Sequence, residues 1–466
     1  MSLKNVLSRL PNSLKTFLKY SYSTVPCSVR LGKAFWQTYL FLQISQWWTR
    51  EQLENYQMEQ LRGLLQHTYD NVPYYRKIFD VNKFKPKDIH TLDDLKTLPT
   101  LDKNTFKNSF KELIARNISD YGHLQNSHTS GTSGKPLHFY LGFSETEREW
   151  AFVCHQWSRV GYKPGDPRVE LRGPVSSGAG QVIHDPINNV LRLSPRIDDV
   201  KIAQYYLKRM KLFNSPFLHG YPSAIATFAH IIRKHNLEIP FKLKAVLFTS
   251  EVVYDWERET VQEVFGCRVF SHYGMSEHVA TAAECERSNY YHFVPQYGIT
   301  EIDPKTHEII ATSFLNYANP FIRYRTTDIA QSVLSKCKYC VRHYFPIIKK
   351  IQGRLEDYII TPSGTLIPPA IITHPFKELK NIKDTQLIQE SVNQLVLCVV
   401  LWDKPVSKAS KAELKQLSKD LQEILGVDMQ IKTEIMDEIE LLKSGKFKWI
   451  ISNVSKGLIE KGLEIN

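Results

Sequence analysis

Several groups of residues in this chain combine types and spacings that suit work on a phosphorylated nucleotide. The first is Thr129-Ser130-Gly131-Thr132-Ser133-Gly134-Lys135-Pro136. Its glycines let the backbone approach an anion closely. Its hydroxyls and N–H groups can bind phosphate oxygens, and Lys135 adds a point charge. The spacing of a Walker A loop is absent. The second is His272-Tyr273-Gly274-Met275-Ser276-Glu277, with a ring able to stack on a purine and a carboxylate able to hold Mg2+ beside phosphates. The third is Tyr324-Arg325-Thr326-Thr327-Asp328, where a carboxylate can accept from two vicinal ribose hydroxyls. Taken singly, these are also an ordinary flexible loop, a turn after a strand and a solvated aspartate.

A second constellation suits a metal. Cys337-x-x-Cys340 is a zinc-type pair, and Cys285 with His292 completes a Cys3His set. His343 is the alternative fourth ligand. With all four positions filled by protein, the role of such a zinc is structural. Cys27, Cys154, Cys267 and Cys398 sit in apolar surroundings as small core residues. Seven cysteines without a regular framework favour a reducing compartment.

The elements that must position these residues are those of an α/β chain. Glu51 to Phe79 reads as helix, interrupted at Val72-Pro73. From about Leu124, short β-rich runs alternate with helices, with strands at Val246–Phe248 and Arg268–Phe270 and a helix at Ile225–His235. After Gly353 a smaller α+β unit follows, with strand over Gln389–Trp402, helix over Lys408–Leu425 and strand over Met429–Glu434. The 466 residues are 42% hydrophobic and 12% aromatic, enough for extensive cores. No apolar run reaches the ~18 residues that span a bilayer, and the first twenty residues lack the apolar core and cleavage site of a secretory leader.

The net charge of +12 does not read as a nucleic-acid footprint. The first fifty residues hold seven Lys or Arg and no Asp or Glu, so a large share of the charge is local. Leu3, Val6, Leu7, Leu10, Leu14, Phe17 and Leu18 fall at helical spacing with Lys4, Arg9, Lys15 and Lys19 around them, and Pro11 divides the run into two short amphipathic helices. Residues 1–50 are therefore expected to form a basic arm. One expectation is contact with the inner face of a membrane by a cytoplasmic protein; the others are an arm packed on its own protein and a transit peptide.

In order and separation, these motifs resemble those of the adenylate-forming enzymes. Ser45-Gln46-Trp47-Trp48, Asn71-Val72-Pro73-Tyr74-Tyr75 and His219-Gly220-Tyr221-Pro222-Ser223 are similar to the phenylacetate–CoA ligase and CapK-type branch. The resemblance covers nearly everything after residue 45. It implies an α/β fold with a large N-terminal domain over residues 51–353 and a small mobile α+β domain over 354–466. It implies that 129–135 are the phosphate loop, that Tyr273 contacts adenine, that Ser276 approaches phosphate, that Glu277 serves Mg2+, and that Ser250 and Glu251 belong to the adenine-side loop. It places Asp328 and Arg354 on the nucleotide, Glu356 at the hinge and Lys446, in Ser444-Gly445-Lys446-Phe447, on the acyl-phosphate. Thr327 stands where the family usually has Gly, and Glu356 where most relatives have Asp.

The implied activity is carboxylate plus MgATP giving acyl-AMP and pyrophosphate, with the acyl group passed to a second nucleophile. That nucleophile is an amine or hydroxyl of a sugar or amino acid, as in surface (capsule) polysaccharide biosynthesis, or the thiol of CoA. Thr361-Pro362-Ser363-Gly364 replaces a more Gly-rich stretch that contacts CoA in CoA-ligating relatives, which favours the first. A non-catalytic nucleotide-binding scaffold is the rival from another class. Arg172 and His184 are the candidates for the acid pocket.

Overall fold

The computed structural model describes residues 11–129, 137–173, 179–197, 199–354, 357–373, 375–376, 379–402, 405–442 and 446–455. Of the sequence candidates, Ser130, Gly131, Thr132, Ser133, Gly134, Lys135 and Glu356 lie outside these, as do residues 1–10 and Ser444-Gly445.

The strands, in chain order, begin with an antiparallel ribbon of β1 (Leu124–His128) and β2 (His138–Gly142) that flanks positions 130–136. Then come β3 (Arg168–Leu171), β4 (Val182–Asp185), β5 (Val190–Leu193), β6 (Phe217–Gly220), β7 (Ala245–Phe248), β8 (Arg268–Gly274), β9 (Thr281–Glu284), β10 (Tyr291–Phe293), β11 (Gly298–Ile302), β12 (Glu308–Ser313), β13 (Tyr324–Leu334) and β14 (Ile347–Arg354). These twelve form one sheet in the order β11-β12-β13-β14-β10-β9-β8-β7-β6-β3-β5-β4.

The stretch β5-β3-β6-β7-β8 is parallel. Its short runs are buried at nearly every position, as strands covered on both faces must be. Helices Phe143–Trp157, Val200–Phe213, Pro222–Lys234 and Asp255–Phe265 pack around it. At β8 the pattern changes, since β8 is parallel to β7 and antiparallel to β9. In open sheets of this kind, ligands bind outside the carboxyl ends of the parallel strands. Here those ends lead into Arg172, Tyr221, Thr249 and Tyr273.

The interruption at Val72-Pro73 separates helix Arg50–Asn71 from helix Pro73–Val81. Val72 is extended at φ −110°, ψ 107°, because the residue before proline is driven out of the helical region, while Pro73 is suited to the first helical position. Thr49 caps the first of these helices by accepting from Gln52 N at 3.2 Å.

After a short antiparallel pair, β15 (Ile359–Ile360) and β16 (Leu366–Ile367), the C-terminal part has its own sheet, β19-β18-β17-β20, made of β17 (Ile382–Ser391), β18 (Gln394–Leu401), β19 (Gln430–Met436) and β20 (Ile450–Ser452). Helix Lys408–Leu425 packs its Leu417, Leu421 and Leu425 into the core of this unit. The single strand expected over Gln389–Trp402 is corrected. The chain reverses at Val392-Asn393 into the antiparallel pair β17/β18. Neither turn residue is Gly or Pro, and Ser391 and Asn393 in the short polar stretch 389–394 are the weaker turn signal that marks the reversal.

Within the basic segment, helix Asn12–Ser23 starts directly after Pro11. Helix Lys33–Ser45 lies against helix Phe143–Trp157, with Phe35 and Leu42 fully buried. No helix among the described residues is long and apolar enough to cross a membrane.

Candidate active site

Lys446 comes to the carboxyl edge of the parallel strands although it lies far along the chain from them. The backbone N–H of the next residue, Phe447, donates to Glu251 Oε1 at 3.1 Å. Glu251 follows β7, and its other oxygen accepts from Ser223 Oγ at 2.8 Å and Ser223 N at 3.2 Å. Burial lowers the pKa of Lys446, Glu251 opposes that shift, and the Arg354 and Arg172 charges add to it. Burial likewise raises Glu251, against the hydrogen bonds from Ser223 and the nearby Lys446. Ser250, the residue before Glu251, has φ +69°, a left-handed conformation that a constrained loop imposes on serine.

Asp328 and Arg354 are register partners on β13 and β14. Arg354 Nε lies 3.3 Å from Asp328 Oδ1, and the hydroxyl of Tyr273 donates to Asp328 Oδ2 at 2.7 Å. The aromatic of the second motif is thus tied directly to the carboxylate of the third. Thr327, beside Asp328, has φ +66° and donates its N–H to Glu308 Oε1 at 2.9 Å. A β-branched residue is strained there, which is why a glycine would suit this position.

Glu277 is 8% exposed, with Tyr324 Oη 3.5 Å from its Oε1. Among the described residues no basic side chain lies within ion-pair distance of it, and burial raises its pKa. A buried carboxylate near Asp328 and Arg354, without an ion-pair partner among the described residues, has the chemistry of a Mg2+ ligand. Ser276 is exposed, and Met275 packs on the neighbouring core.

A polar network that the sequence reading did not single out runs beneath this edge. On β3, Arg168 and Glu170 are 7% and 8% exposed and are joined at 3.0 Å. Arg192 Nε is 3.3 Å from the other oxygen of Glu170. Burial would raise the Glu170 carboxyl, but His219 and Arg168 hold it far below the usual carboxylate range. Burial lowers His219 to about 4 and His272 to about 3, so both rings are neutral near pH 7.

Their tautomers follow from their partners. Trp157 Nε1 can only donate, and it lies 3.1 Å from His272 Nδ1. The His272 proton is therefore on Nε2, 3.2 Å from Thr249 Oγ1. Arg172 Nη1 can only donate, and it lies 3.3 Å from His219 Nε2, so the His219 proton is on Nδ1, facing Glu170 Oε1 at 3.5 Å. The available signal was the alternation Arg168-Val-Glu170-Leu-Arg172, which puts charges on one face of an otherwise apolar strand. His184 is a correction. It is exposed, bonds Tyr20 Oη at 3.1 Å and rests on Phe213, because antiparallel β4 carries it to the outer margin of the sheet.

The Cys3His set is brought together. Ligand atoms of Cys285, His292, Cys337 and Cys340 all lie within 4.8 Å of one another. Cys285 Sγ and Cys337 Sγ are 4.0 Å apart, close to the about 3.8 Å edge of a tetrahedron with Zn–S near 2.3 Å. Cys340, His292 and Ser288 stabilise the thiolate of Cys285 through hydrogen bonds. His343 is exposed and outside the cluster. The donor set fits zinc, which would bind the end of β9 and strand β10 to the segment joining β13 and β14.

Residues 359–453 match the CapK C-terminal domain family. Over 421 residues, covering 86% of this chain and 89% of the relative, the sequence is 21% identical to Protein CapK of Staphylococcus aureus. Over 411 residues, covering 81% and 89%, it is 26% identical to Phenylacetate-coenzyme A ligase of Pseudomonas putida. The fold is similar to the crystal structure of 2-hydroxyisobutyryl-CoA ligase in the postadenylation state in complex with R3-HIB-AMP, with a TM-score of 0.66 at 17% identity over 87% of this chain and 90% of that one. The α/β fold with a large sheet and a small C-terminal unit is that of the adenylate-forming ligases.

Proposed function

We propose, on the premise that this chain belongs to the CapK and phenylacetate–CoA ligase branch of the adenylate-forming enzymes, that it activates a small carboxylic acid with ATP. An oxygen of the carboxylate attacks the α-phosphorus of ATP. The bond from that phosphorus to the bridging oxygen breaks, and its electron pair leaves with pyrophosphate. A second nucleophile then attacks the acyl carbon and displaces AMP.

The observation that carries this reading is the convergence of Lys446, Glu251, Asp328, Arg354 and Glu277 from separate segments of the chain. In this scheme Lys446 offsets charge growing on the carboxylate and α-phosphate oxygens. Asp328 accepts from the ribose hydroxyls, with Arg354 and Tyr273 fixing its orientation. Glu277 would hold Mg2+, which neutralises phosphate charge when bound. Residues 129–135 serve the phosphates, and Ser250, Gly274, Met275 and Ser276 line the nucleotide. The zinc proposed at Cys285, His292, Cys337 and Cys340 is structural.

For the acceptor, an amine or hydroxyl of a sugar or amino acid is favoured, in surface polysaccharide decoration. Its support is the turn at 361–365, whose hydroxyls are used internally. Thr365 N donates to Thr361 Oγ1 at 3.0 Å, and Thr361 Oγ1 lies 2.8 Å from Ser363 Oγ. Transfer to CoA is the second reading, supported by the relatives named as CoA ligases. ATP–pyrophosphate exchange across a panel of carboxylic acids tests the activity. Acid-dependent exchange is expected; its absence with every acid, in protein that still binds ATP, would support a non-catalytic scaffold. Adding CoA or amines to preformed acyl-AMP then separates the two acceptors.

A further inference from the structure

The parallel strands end in a guanidinium that the adenylation scheme does not use. Arg172 follows β3 directly and is half-buried. It lies over the ring of Tyr221 at 5.8 Å and donates to His219 Nε2 at 3.3 Å. Among the described residues no carboxylate lies within ion-pair distance of it. Glu170, the carboxylate behind it, is already joined to Arg168 and Arg192 and faces His219. The orientation of Arg172 is nonetheless fixed from behind. The neutral His219 ring, its proton turned toward Glu170, presents a lone pair to one guanidinium nitrogen, and Tyr221 is a second neutral partner of the fork, so neither neutralises its charge. Arg172 is also close enough to depress the pKa of Lys446.

An arginine placed this way suits bidentate capture of a second anion. We propose that Arg172 is a specificity-determining residue that pairs with a second anionic group on the acid, so that the substrate class is a small dicarboxylate or similarly dianionic acid rather than a plain aryl or alkyl monocarboxylate. One carboxylate is activated at Lys446 and the other is anchored at Arg172. His219 and Glu170 are positioning residues, acting through the guanidinium. This inference rests on the adenylation reading above.

The test is ATP–pyrophosphate exchange with full-length protein on succinate, glutarate and adipate, each against its monoamide, with propionate and phenylacetate alongside. At least one diacid should exceed its monoamide in kcat/KM by about 50-fold or more, because a site built to bind a polar group rejects analogues that lack it. Arg172→Met should erase that ratio, and Arg172→Lys should keep part of it. Arg172→Glu should move the preference from the diacid to the ω-amino acid of matching length, a gain that misfolding could not produce. His219→Gln should raise KM for the diacid more than it lowers kcat.

Exchange with propionate or phenylacetate equal to that with every diacid, or a diacid preference unchanged in Arg172→Met, would overturn the inference while leaving adenylation standing. Exchange with no acid at all, in protein still stabilised against heat by MgATP, would overturn adenylation and this inference with it.

Discussion

The backbone N–H of Phe447 is hydrogen-bonded at 3.1 Å to Oε1 of Glu251, 196 residues earlier in the sequence. Glu251 is held in turn by Ser223 at the start of helix Pro222–Lys234. One carboxylate thus fixes the segment carrying Lys446 against the carboxyl ends of β6 and β7. Trp449 extends the contact, its ring 5.4 Å from that of Trp256 and 6.4 Å from that of Tyr254. Under the proposed scheme, this arrangement suits the first half-reaction.

Lys446→Ala should reduce acyl-adenylate formation by about 10²-fold or more, the usual scale for removing one electrostatic stabiliser. Transfer from preformed acyl-AMP should stay nearly intact. Because burial and the Arg354 and Arg172 charges lower its pKa, Lys446 loses its proton below the ordinary lysine value of about 10.4. Adenylation should fall as pH rises through that depressed value, and Lys446→Arg should move the fall to higher pH. Glu356→Pro, at the proposed hinge, should spare adenylation and slow transfer, since proline fixes φ. Equal slowing of both half-reactions by Lys446→Ala would remove the alternation.

One tightly held zinc per chain is expected from Cys285, His292, Cys337 and Cys340. Metal analysis should find it, and chelation should lower the melting temperature, because binding to a folded site stabilises the fold. Cys337→Ser should abolish stoichiometric zinc, whereas His343→Ala should leave it in place. Zinc-free protein with three freely titrating thiols would refute the site.

Much of this was legible because the chemistry-bearing residues sit at strand ends and turns, where residue type is dictated by position. Tyr273, Asp328 and Lys446 carry short local patterns, and the helix Lys408–Leu425 announces itself by its period. The Cys3His set was readable from ligand types, although 52 residues separate Cys285 from Cys337. What the sequence hid was pairing. Nothing in it tells that Asp328 and Arg354 face each other across β13 and β14, or that Glu170, His219 and Arg172 form one chain of contacts. Those depend on which strands become neighbours. His184 misled because a histidine on a β-rich run gives no sign of lying on an edge strand.

Acid should destabilise the fold through its buried histidines. His155 is 1% exposed, and neither ring nitrogen has a hydrogen-bond partner among the described residues. Burial, aided by the Arg159 charge, lowers it to about 3. The unfolded chain takes up that proton near pH 6.5 and the folded chain only near pH 3. Between these values the unfolded state holds more protons, so stability rises with pH and is lost on acidification below about 6.5. The loss from pH 7 to pH 5 should be of order 1–2 kcal/mol for this residue. Urea unfolding at both pH values should show a shallower dependence in His155→Met; an unchanged slope would mean that the ring is protonated in the fold.

The proposed membrane contact belongs to the part of the basic segment before Lys33, since the helix beginning there is packed into the body. Leu14 and Phe17 on helix Asn12–Ser23 are 42% and 65% exposed. Full-length protein should bind phosphatidylserine-containing vesicles weakly and lose them with rising salt. A chain starting at residue 33 that co-sediments equally well would exclude this segment.

Trp402 should act as a latch between the two parts of the molecule. It lies just beyond β18, yet its side chain packs on the core of the parallel sheet rather than on that of its own unit. Its ring stacks on His230 at 5.6 Å and 11°, with Lys234 Nζ 4.6 Å from its centroid. Another link between the two parts is the exposed pair Arg196–Glu438 at 2.7 Å, and exposed pairs contribute about 0–1 kcal/mol. Trp402 is partly buried, and a tryptophan packed into an interface can be worth about 2 kcal/mol on truncation. If the small unit must rotate away for acyl transfer, Trp402 leaves His230 and Lys234 when it does. Trp402→Ala should therefore depopulate the docked arrangement and slow adenylation by about 10-fold, while transfer from preformed acyl-AMP holds steady or quickens. Arg196→Ala should change either rate by less than about twofold. Single-turnover measurement of both half-reactions separates these outcomes, and a Trp402→Ala protein that adenylates at the native rate would show that Glu251 and Trp449 hold the unit in place without it.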